Sequence, residues 1–435
     1  MSAISLEDAA VRLNVSLKMV RRYVASGSLV AHRERNRYVI QESDLVKFEQ
    51  TDRCSQPVSS IGTRNVAKRN ADFSQLSLFG DDDEPSQGVF RKKVKDEVNW
   101  ADISPYWNET SRSELTFVDL FCGAGGLSRG LEMAGLQGVC GLDFFKEAGM
   151  TYRRNFSHPF VYGDITKPEV KQELYGVVAN SLNGRRLNII SGGFPCQGFS
   201  MAGNRIVDDP RNSLYKEMLE IVRTLQPDFV VCENVKGLRS MLGGAVEQKI
   251  LADYKAIGYE MNVTTLCAAD YYTPQKRERV IFVGNRIGLT NYHPKPILTP
   301  DKYITTGQAI ADLVDHPADP DFNHVPTRHN EEMQRRILDC PEGESLYKGY
   351  SDAWKKCPWN EASCTIKENH GGVNLHPKLP RVLTAREMAR LQSFPDEFVF
   401  EGPKNKQLVQ IGNAVPCLLG KAIGLAIRKS MDDFR

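Results

Sequence analysis

The sequence predicts an α/β protein, with one large domain built on a mainly parallel sheet and a small, separate helical domain in front of it. Three observations carry that reading. Short apolar runs recur between residues 115 and 285, several ending at Gly, Asp or Glu, the pattern of strands buried on both faces. Composition shifts near residue 50 and again near residue 112, dividing the chain into three regions. At 435 residues and 41% hydrophobic, the chain supports two or three domains with cores of their own and is neither disordered nor fibrous. The 56 Lys+Arg and 54 Asp+Glu leave a formal charge of +2, which does not weigh against nucleic acid, since phosphate contacts need a local basic surface. No run reaches the ~18 consecutive apolar residues of a spanning helix, and the N-terminus lacks a charged start before an apolar run, so a soluble, non-exported protein is expected. Ten scattered cysteines form no CxxC pair or His-Cys cluster. Neither a disulfide framework nor a metal site is expected, and a reducing bacterial cytoplasm is the simplest setting.

Residues 1–50 are compact and periodic. Ser5-Leu6-Glu7-Asp8 reads as a capping box, with Leu6, Ala9, Ala10 and Leu13 on one helical face. Ser16 caps a second helix whose Val20, Tyr23 and Val24 point inward while Lys18, Arg21 and Arg22 stay outside, and Gly27 stops it. Residues 29–40 read as a hairpin with Arg33, Arg35 and Arg37 at its tip, followed by a short helix through Leu45 and Phe48. Two helices, a tight turn and a basic wing resemble the winged helix-turn-helix of excisionase and mercury-resistance-regulator proteins. The resemblance implies DNA contact through Lys18, Arg21, Arg22 and Arg35. The plainer alternative is a solvated basic face on an accessory domain.

From residue 51 to 112 the apolar density collapses, so a linker is expected. Within it Gln75-Leu76-Ser77-Leu78-Phe79 stands out as an apolar string in polar surroundings. It resembles the short motif by which bacterial proteins dock on the replication sliding clamp; packing on a neighbouring domain is the other reading.

The large domain opens with a strand over residues 115–120 that runs into Phe121-Cys122-Gly123-Ala124-Gly125-Gly126 and a helix over 127–133. A glycine-rich turn at a strand's carboxyl end lets the backbone approach a ligand closely. The spacing is neither the dinucleotide fingerprint nor the P-loop, which disfavours NAD and ATP. A second strand, 138–142, ends at Asp143-Phe144, an acid suited to ribose hydroxyls beside a ring suited to a purine face. A third ends near Asp164, placed to accept from an adenine amino group. After residues 187–190 comes Ser191-Gly192-Gly193-Phe194-Pro195-Cys196, a thiol just past a strand end in a Gly/Pro-ordered loop, the setting of a nucleophile more than of a core filler. Residues 227–232 form another strand with Glu233-Asn234-Val235 at its tip. Gln275-Lys276-Arg277-Glu278-Arg279 leads into a strand over 280–284, and strand alternation puts Arg277 and Arg279 on one side.

The strings Asp119 to Gly126, Pro195-Cys196, Glu233-Asn234-Val235, Gln275 to Arg279 and Gly412-Asn413-Ala414-Val415-Pro416 resemble, in order, the motifs of DNA (cytosine-5)-methyltransferases. The resemblance spans about residues 115–430. It implies a Rossmann-like S-adenosylmethionine-dependent domain with a smaller target-recognition domain, and methyl transfer to carbon 5 of a flipped cytosine in double-stranded DNA, with no metal. By that resemblance Cys196 adds to carbon 6, Glu233 faces ring nitrogen 3 and the amine, Arg279 holds the carbonyl oxygen, and Arg277 orders a phosphate or the nucleophile loop. Cofactor contacts fall on Phe121, Gly123, Gly125, Asp143, Phe144, Asp164, Pro195 and Asn413. Two positions depart from the family: Asp143 stands where Glu is commoner, and Tyr272-Thr273 precedes Pro274 where a Gly is common, so a changed backbone turn is expected there. By the same resemblance residues 286–370 hold the recognition domain, 381–394 resemble the family's penultimate motif, and a helix from 416 to 429 returns to complete the cofactor pocket. The expected protein is a restriction-modification methylase, a monomer on its DNA and without a membrane partner, which also represses its own promoter through the N-terminal domain. Two alternatives remain at this level: a tRNA cytosine-5 methyltransferase, and a DNA-binding regulator with an idle methylase domain.

Overall fold

The computed structural model describes residues 3–5, 9, 12–13, 20, 24, 29–34, 37–49, 98–195, 214–347, 354–367 and 373–433. The expected contacts Lys18, Arg21, Arg22 and Arg35, the 75–79 string and Cys196 lie outside the described residues. The chain divides into two compact units at Glu84.

In the first unit, β1 (Ala3–Ser5), β2 (His32–Glu34) and β3 (Arg37–Gln41) form an antiparallel sheet with β3 in the middle, and α1 (Glu42–Glu49) follows. The expected hairpin is β2–β3. Strand β1 is an addition that three residues are too few to announce. Ala9, Leu13, Val20, Leu29, Ile40 and Phe48 make the core, and Glu42 and Asp44 in the first turn of α1, with Lys47 in its last, complement the helix dipole.

The second unit is built on seven strands: β5 (Thr116–Leu120), β6 (Gln137–Asp143), β7 (Phe160–Tyr162), β8 (Ile189–Gly192), β9 (Phe229–Val235), β10 (Glu260–Cys267) and β11 (Glu278–Asn285). Their order is β10-β11-β9-β8-β5-β6-β7, with β11 alone antiparallel to its neighbours. Period-two alternation sends Val118, Leu120, Ile190, Val230 and Phe282 to one face and Phe117, Ile189, Phe229, Val231 and Ile281 to the other. The helices α2 (Gly126–Met133), α3 (Lys146–Asn155), α4 (Pro168–Leu182), α5 (Leu214–Leu225) and α6 (Ala245–Ala256) connect the strands. Because the chain runs outward from β5 through β6 and β7, then returns to β8 on β5's other side, a crevice opens at the carboxyl ends of β5 and β8.

Residues 99–106, read as linker, are structured: β4 (Asn99–Ala101) pairs in parallel with β12 (Tyr292–Pro294), and Ile103 is buried. The region expected to read DNA contains β12, α7 (Thr306–Ile310) and α8 (Glu331–Asp339), and its Ile310, Leu313 and Ile366 share a core with Tyr152, Leu383 and Phe398. The expected helix over 381–394 is the shorter α9 (Ala385–Leu391), begun by a capping box between Thr384 and Glu387. Glu387 also takes both Arg381 Nη atoms, at 2.8 and 2.7 Å.

The return is made by α10 (Lys404–Asn413) and α11 (Cys417–Asp432). Residues 404–432 are long and apolar enough by composition to cross a membrane. They break at Ala414-Val415-Pro416, however, and α11 lies against α2 so closely that a Cβ on Gly130 would sit 2.3 Å from the Cys417 carbonyl. The apolarity serves the core.

Candidate active-site cleft

A cleft of about 1620 Å³ lies over the carboxyl ends of β5, β6, β8 and β9, walled by the turn after α10 and by Thr365, Lys367, Val373 and Val382. The side expected to hold the cofactor is shaped by left-handed backbone at Phe121 (φ 55°), Gly123 (φ 53°) and Gly125 (φ 94°). Gly125 admits no side chain, since a Cβ would lie 2.4 Å from the Phe156 ring, whereas one on Gly123 would meet nothing within 4 Å. Asp143 braces this loop: its Oδ2 accepts the Gly123 N–H and its Oδ1 the Phe145 N–H, both at 2.8 Å. Burial raises its pKa and those N–H donors oppose the rise. Phe144 lines the cleft with 68% of its surface exposed. Asn413, the last residue of α10, is exposed and lines the same cleft, as does Pro195. Asp164 is placed differently. It is exposed and absent from the cleft wall, and its Oδ1 accepts the N–H and O–H of Thr166 at 3.0 and 2.9 Å, a turn-forming duty.

Beneath the loop lies a buried polar chain that the residue pattern did not reveal. Asp119 accepts from Ser128 Oγ at 2.5 Å and Ser191 Oγ at 2.8 Å. The Ser128 hydroxyl meets Tyr152 Oη at 2.9 Å, which meets His158 Nε2 at 2.8 Å. Burial pushes the Asp119 carboxyl up to about 6.

The side expected to be catalytic is set by the pairing of β9 with β11. Glu233 stands opposite Ile281 and Val235 opposite Arg279, so Glu233 and Arg279 are diagonal neighbours on one face. Arg279 Nε donates to Glu233 Oε1 at 2.8 Å, with both side chains 12% exposed. The other carboxylate oxygen covers Gly193, where a Cβ would approach it to 3.0 Å, which explains the second glycine of Gly192-Gly193. Asn234 Nδ2 donates to the Phe194 carbonyl at 2.9 Å, tying the chain that enters Pro195-Cys196 to the strand that carries Glu233.

Arg277 requires a correction. Strand β11 begins at Glu278, so the alternation expected to align Arg277 with Arg279 does not extend to it. Its guanidinium is buried and donates to the carbonyls of Ile366 (2.8 Å), Gly412 (3.0 Å) and Ala414 (3.1 Å). It braces the turn that presents Asn413, with its Nη atoms committed to backbone instead of to a phosphate. Gln275 and Gln392, a fully buried pair, add to the same brace: Gln275 Nε2 donates to Gln392 Oε1 at 2.8 Å, and Gln392 Nε2 donates to the Ile411 carbonyl at 2.7 Å. Tyr272 adopts φ 62°, ψ 7°, a left-handed turn made without glycine, its ring 5.4 Å from that of Trp107.

A parallel sheet with a reversed strand near one edge, a glycine-shaped pocket at the switch point and a carboxylate–guanidinium pair beside it define a Rossmann-like methyltransferase. Residues 115–429 match the C-5 cytosine-specific DNA methylase family, and the chain belongs to it: the protein is a DNA cytosine-5-methyltransferase. Residues 4–53 match a helix-turn-helix domain. Among similar proteins, the type II methyltransferase M1.HphI of Haemophilus parahaemolyticus is 35% identical over 72% of this chain and 87% of its own. The type II methyltransferase M.Eco47II of Escherichia coli is 28% identical over 98% of this chain and 96% of its own. A solved E. coli structure, described as a putative DNA modification methyltransferase encoded within a prophage, superposes with a TM-score of 0.60 at 26% identity, covering 73% of this chain and all of that one.

Proposed function

We propose that the protein methylates carbon 5 of cytosine at a defined sequence in double-stranded DNA through a covalent adduct of Cys196, as the methylase of a type II restriction-modification pair. The Glu233–Arg279 pair, fixed at 2.8 Å beside the loop that leads into Cys196, carries this reading. Carbon 5 of cytosine is too weak a nucleophile on its own. The Cys196 thiolate adds to carbon 6 and drives electron density towards carbon 5. Glu233 shares or donates a proton at ring nitrogen 3, and Arg279 holds the ring carbonyl oxygen as negative charge builds. Once carbon 5 carries the methyl group, its proton leaves to water and Cys196 is eliminated.

The pocket residues fit S-adenosylmethionine: an open left-handed backbone at Gly123, an exposed aromatic face at Phe144 and an acid at the β6 tip. Bound there, the donor supplies an electrophilic sulfonium methyl group. Asp143, with one backbone donor on each oxygen, keeps acceptor capacity for ribose hydroxyls, and Phe144 stacks on the purine.

The N-terminal helix-turn-helix binds the promoter region and represses the protein's own synthesis, and the 75–79 string docks on the sliding clamp. The similarity to M.Eco47II, which covers nearly the whole of both chains, supports treating the N-terminal unit as part of the working enzyme. Bisulfite sequencing of plasmid DNA from cells expressing the protein tests the reading. Protected cytosines at one recurring sequence are expected; their absence from DNA of cells making soluble protein refutes it.

A further inference from the structure

The proposed chemistry uses one thiol, and two others that it does not use lie together. Cys357 and Cys364 place their sulfurs 3.8 Å apart. Cys357 is buried in the core shared with α9 and α10, Cys364 is partly exposed, and Asn374 Nδ2 donates to the Cys364 sulfur at 3.1 Å. The Cys357 S–H, with Lys355 and Asn374, holds the Cys364 thiol below the ordinary range, while the same contact and burial raise Cys357. A partly exposed thiol with donors around it and a second thiol in contact is the arrangement of an attacking and a resolving cysteine.

We propose that Cys357 and Cys364 form an oxidisable dithiol, which hydrogen peroxide converts to a disulfide that loosens the DNA cleft. The Cys364 thiolate attacks one peroxide oxygen, the O–O bond breaks, and hydroxide leaves and is protonated to water. The Cys357 sulfur then attacks the resulting sulfenic acid. The S–S bond forms, the S–O bond breaks, and the hydroxide leaves with the Cys357 proton as water. Each sulfur loses one electron and peroxide gains two.

The neighbours of Cys364 make the step matter. The Ser363 N–H donates to the Pro274 carbonyl and the Lys276 N–H to the Ser363 carbonyl, at 3.0 and 2.9 Å. Ile366 N–H donates to Gln275 Oε1, and the Ile366 carbonyl accepts from Arg277, both at 2.8 Å. Thr365 and Lys367 line the cleft. A disulfide is ~2.05 Å long, so the sulfurs must close by about 1.8 Å. That motion breaks the Asn374 contact and drags the segment that braces Arg277.

The test uses the full chain carrying Cys196→Ser, so that the nucleophile cannot contribute. The protein is treated with hydrogen peroxide, quenched with catalase, alkylated and digested with trypsin. Both cysteines fall in one tryptic peptide, 357–367, so a disulfide reads as the loss of two hydrogens and of both alkyl groups. Complete conversion, reversed by dithiothreitol, is expected, together with a fall of about tenfold in affinity for methylatable duplex DNA, equivalent to about 1.4 kcal/mol. Cys364→Ser in the same background loses both effects, and Cys357→Ser leaves a dimedone-reactive sulfenic acid at Cys364. A 357–367 peptide that keeps both alkyl groups while other thiols oxidise overturns the site. Complete disulfide with unchanged affinity overturns its link to the cleft. Untreated protein that binds no DNA counts instead against the methylation reading, which the mass measurement does not use.

Discussion

Gly126→Ala tests whether the C-terminal return shapes the cofactor pocket. Gly126 is the first residue of α2, and a Cβ there would lie 2.2 Å from the Val415 carbonyl oxygen, 3.1 Å from Ala414 Cβ and 3.2 Å from Phe394 Cζ. Comfortable contacts sit near ~3.5 Å, so the backbone at 414–415 must retreat by about 1 Å. Overpacking of this kind costs about 1–3 kcal/mol, offset by up to about 1 kcal/mol because alanine suits a helix better than glycine. A net loss of roughly 1–2 kcal/mol lowers the melting temperature by a few degrees. The same retreat displaces the turn that presents Asn413, and a misplacement of about 1 Å is worth about a hundredfold in kcat/KM for S-adenosylmethionine. Thermal melts and methyl incorporation at varied donor concentration read both effects. Gly176→Ala is the control: it sits in α4, where a Cβ meets nothing within 4 Å, and should hold or raise stability. A Gly126→Ala protein that melts and methylates like wild type refutes the reasoning.

Glu233→Gln keeps the shape facing Arg279 but removes the transferable proton; single-turnover methylation should fall about 10²–10⁴-fold with DNA affinity nearly unchanged, and an undiminished rate removes Glu233 from the chemistry. Burial lifts the Asp119 carboxyl from 3.8 to about 6, so its contribution to folding is fully present below 3.8 and is lost as pH rises through about 6. That gap corresponds to about 3 kcal/mol of cost for the ionised form at neutral pH. Urea melts should therefore show the stability of Asp119→Asn relative to wild type rising between about pH 4 and 6 and level above; a difference independent of pH contradicts this. Tyr272→Gly and Tyr272→Ala both lose the ring against Trp107, but at φ 62° the glycine variant should be more stable by about 1 kcal/mol. Equal melting of the two would show that the left-handed turn carries no strain.

The parallel strands were legible because each is a short local run whose tip residues announce its end, and Glu233 and Arg279 were legible because paired strands bring motif residues together by register. What stayed hidden depends on distant partners. The carbonyls that Arg277 serves lie 89, 135 and 137 residues away, and nothing near Arg277 separates a phosphate contact from a backbone brace. Asp164 shows a related ambiguity: an acid at a strand tip also suits a turn, and the Thr166 N–H bonds one of its oxygens. The strand β4 had a signal, since Trp100, Ile103, Tyr106 and Trp107 interrupt a polar stretch, but its partner β12 lies nearly 200 residues on. Cys357 and Cys364 escaped attention because their spacing matches no familiar cysteine pattern and only the fold brings the sulfurs together.

The covalent role of Cys196 can be measured most directly with duplex DNA carrying 5-fluorocytosine at the methylated position. Fluorine replaces the proton that must leave carbon 5, so the adduct cannot resolve once the methyl group has been added. With S-adenosylmethionine present, wild-type protein should give a protein–DNA species that survives denaturing electrophoresis, and Cys196→Ser should give none. A wild-type protein that methylates ordinary DNA yet traps nothing, or a Cys196→Ser protein that traps as much, contradicts the mechanism.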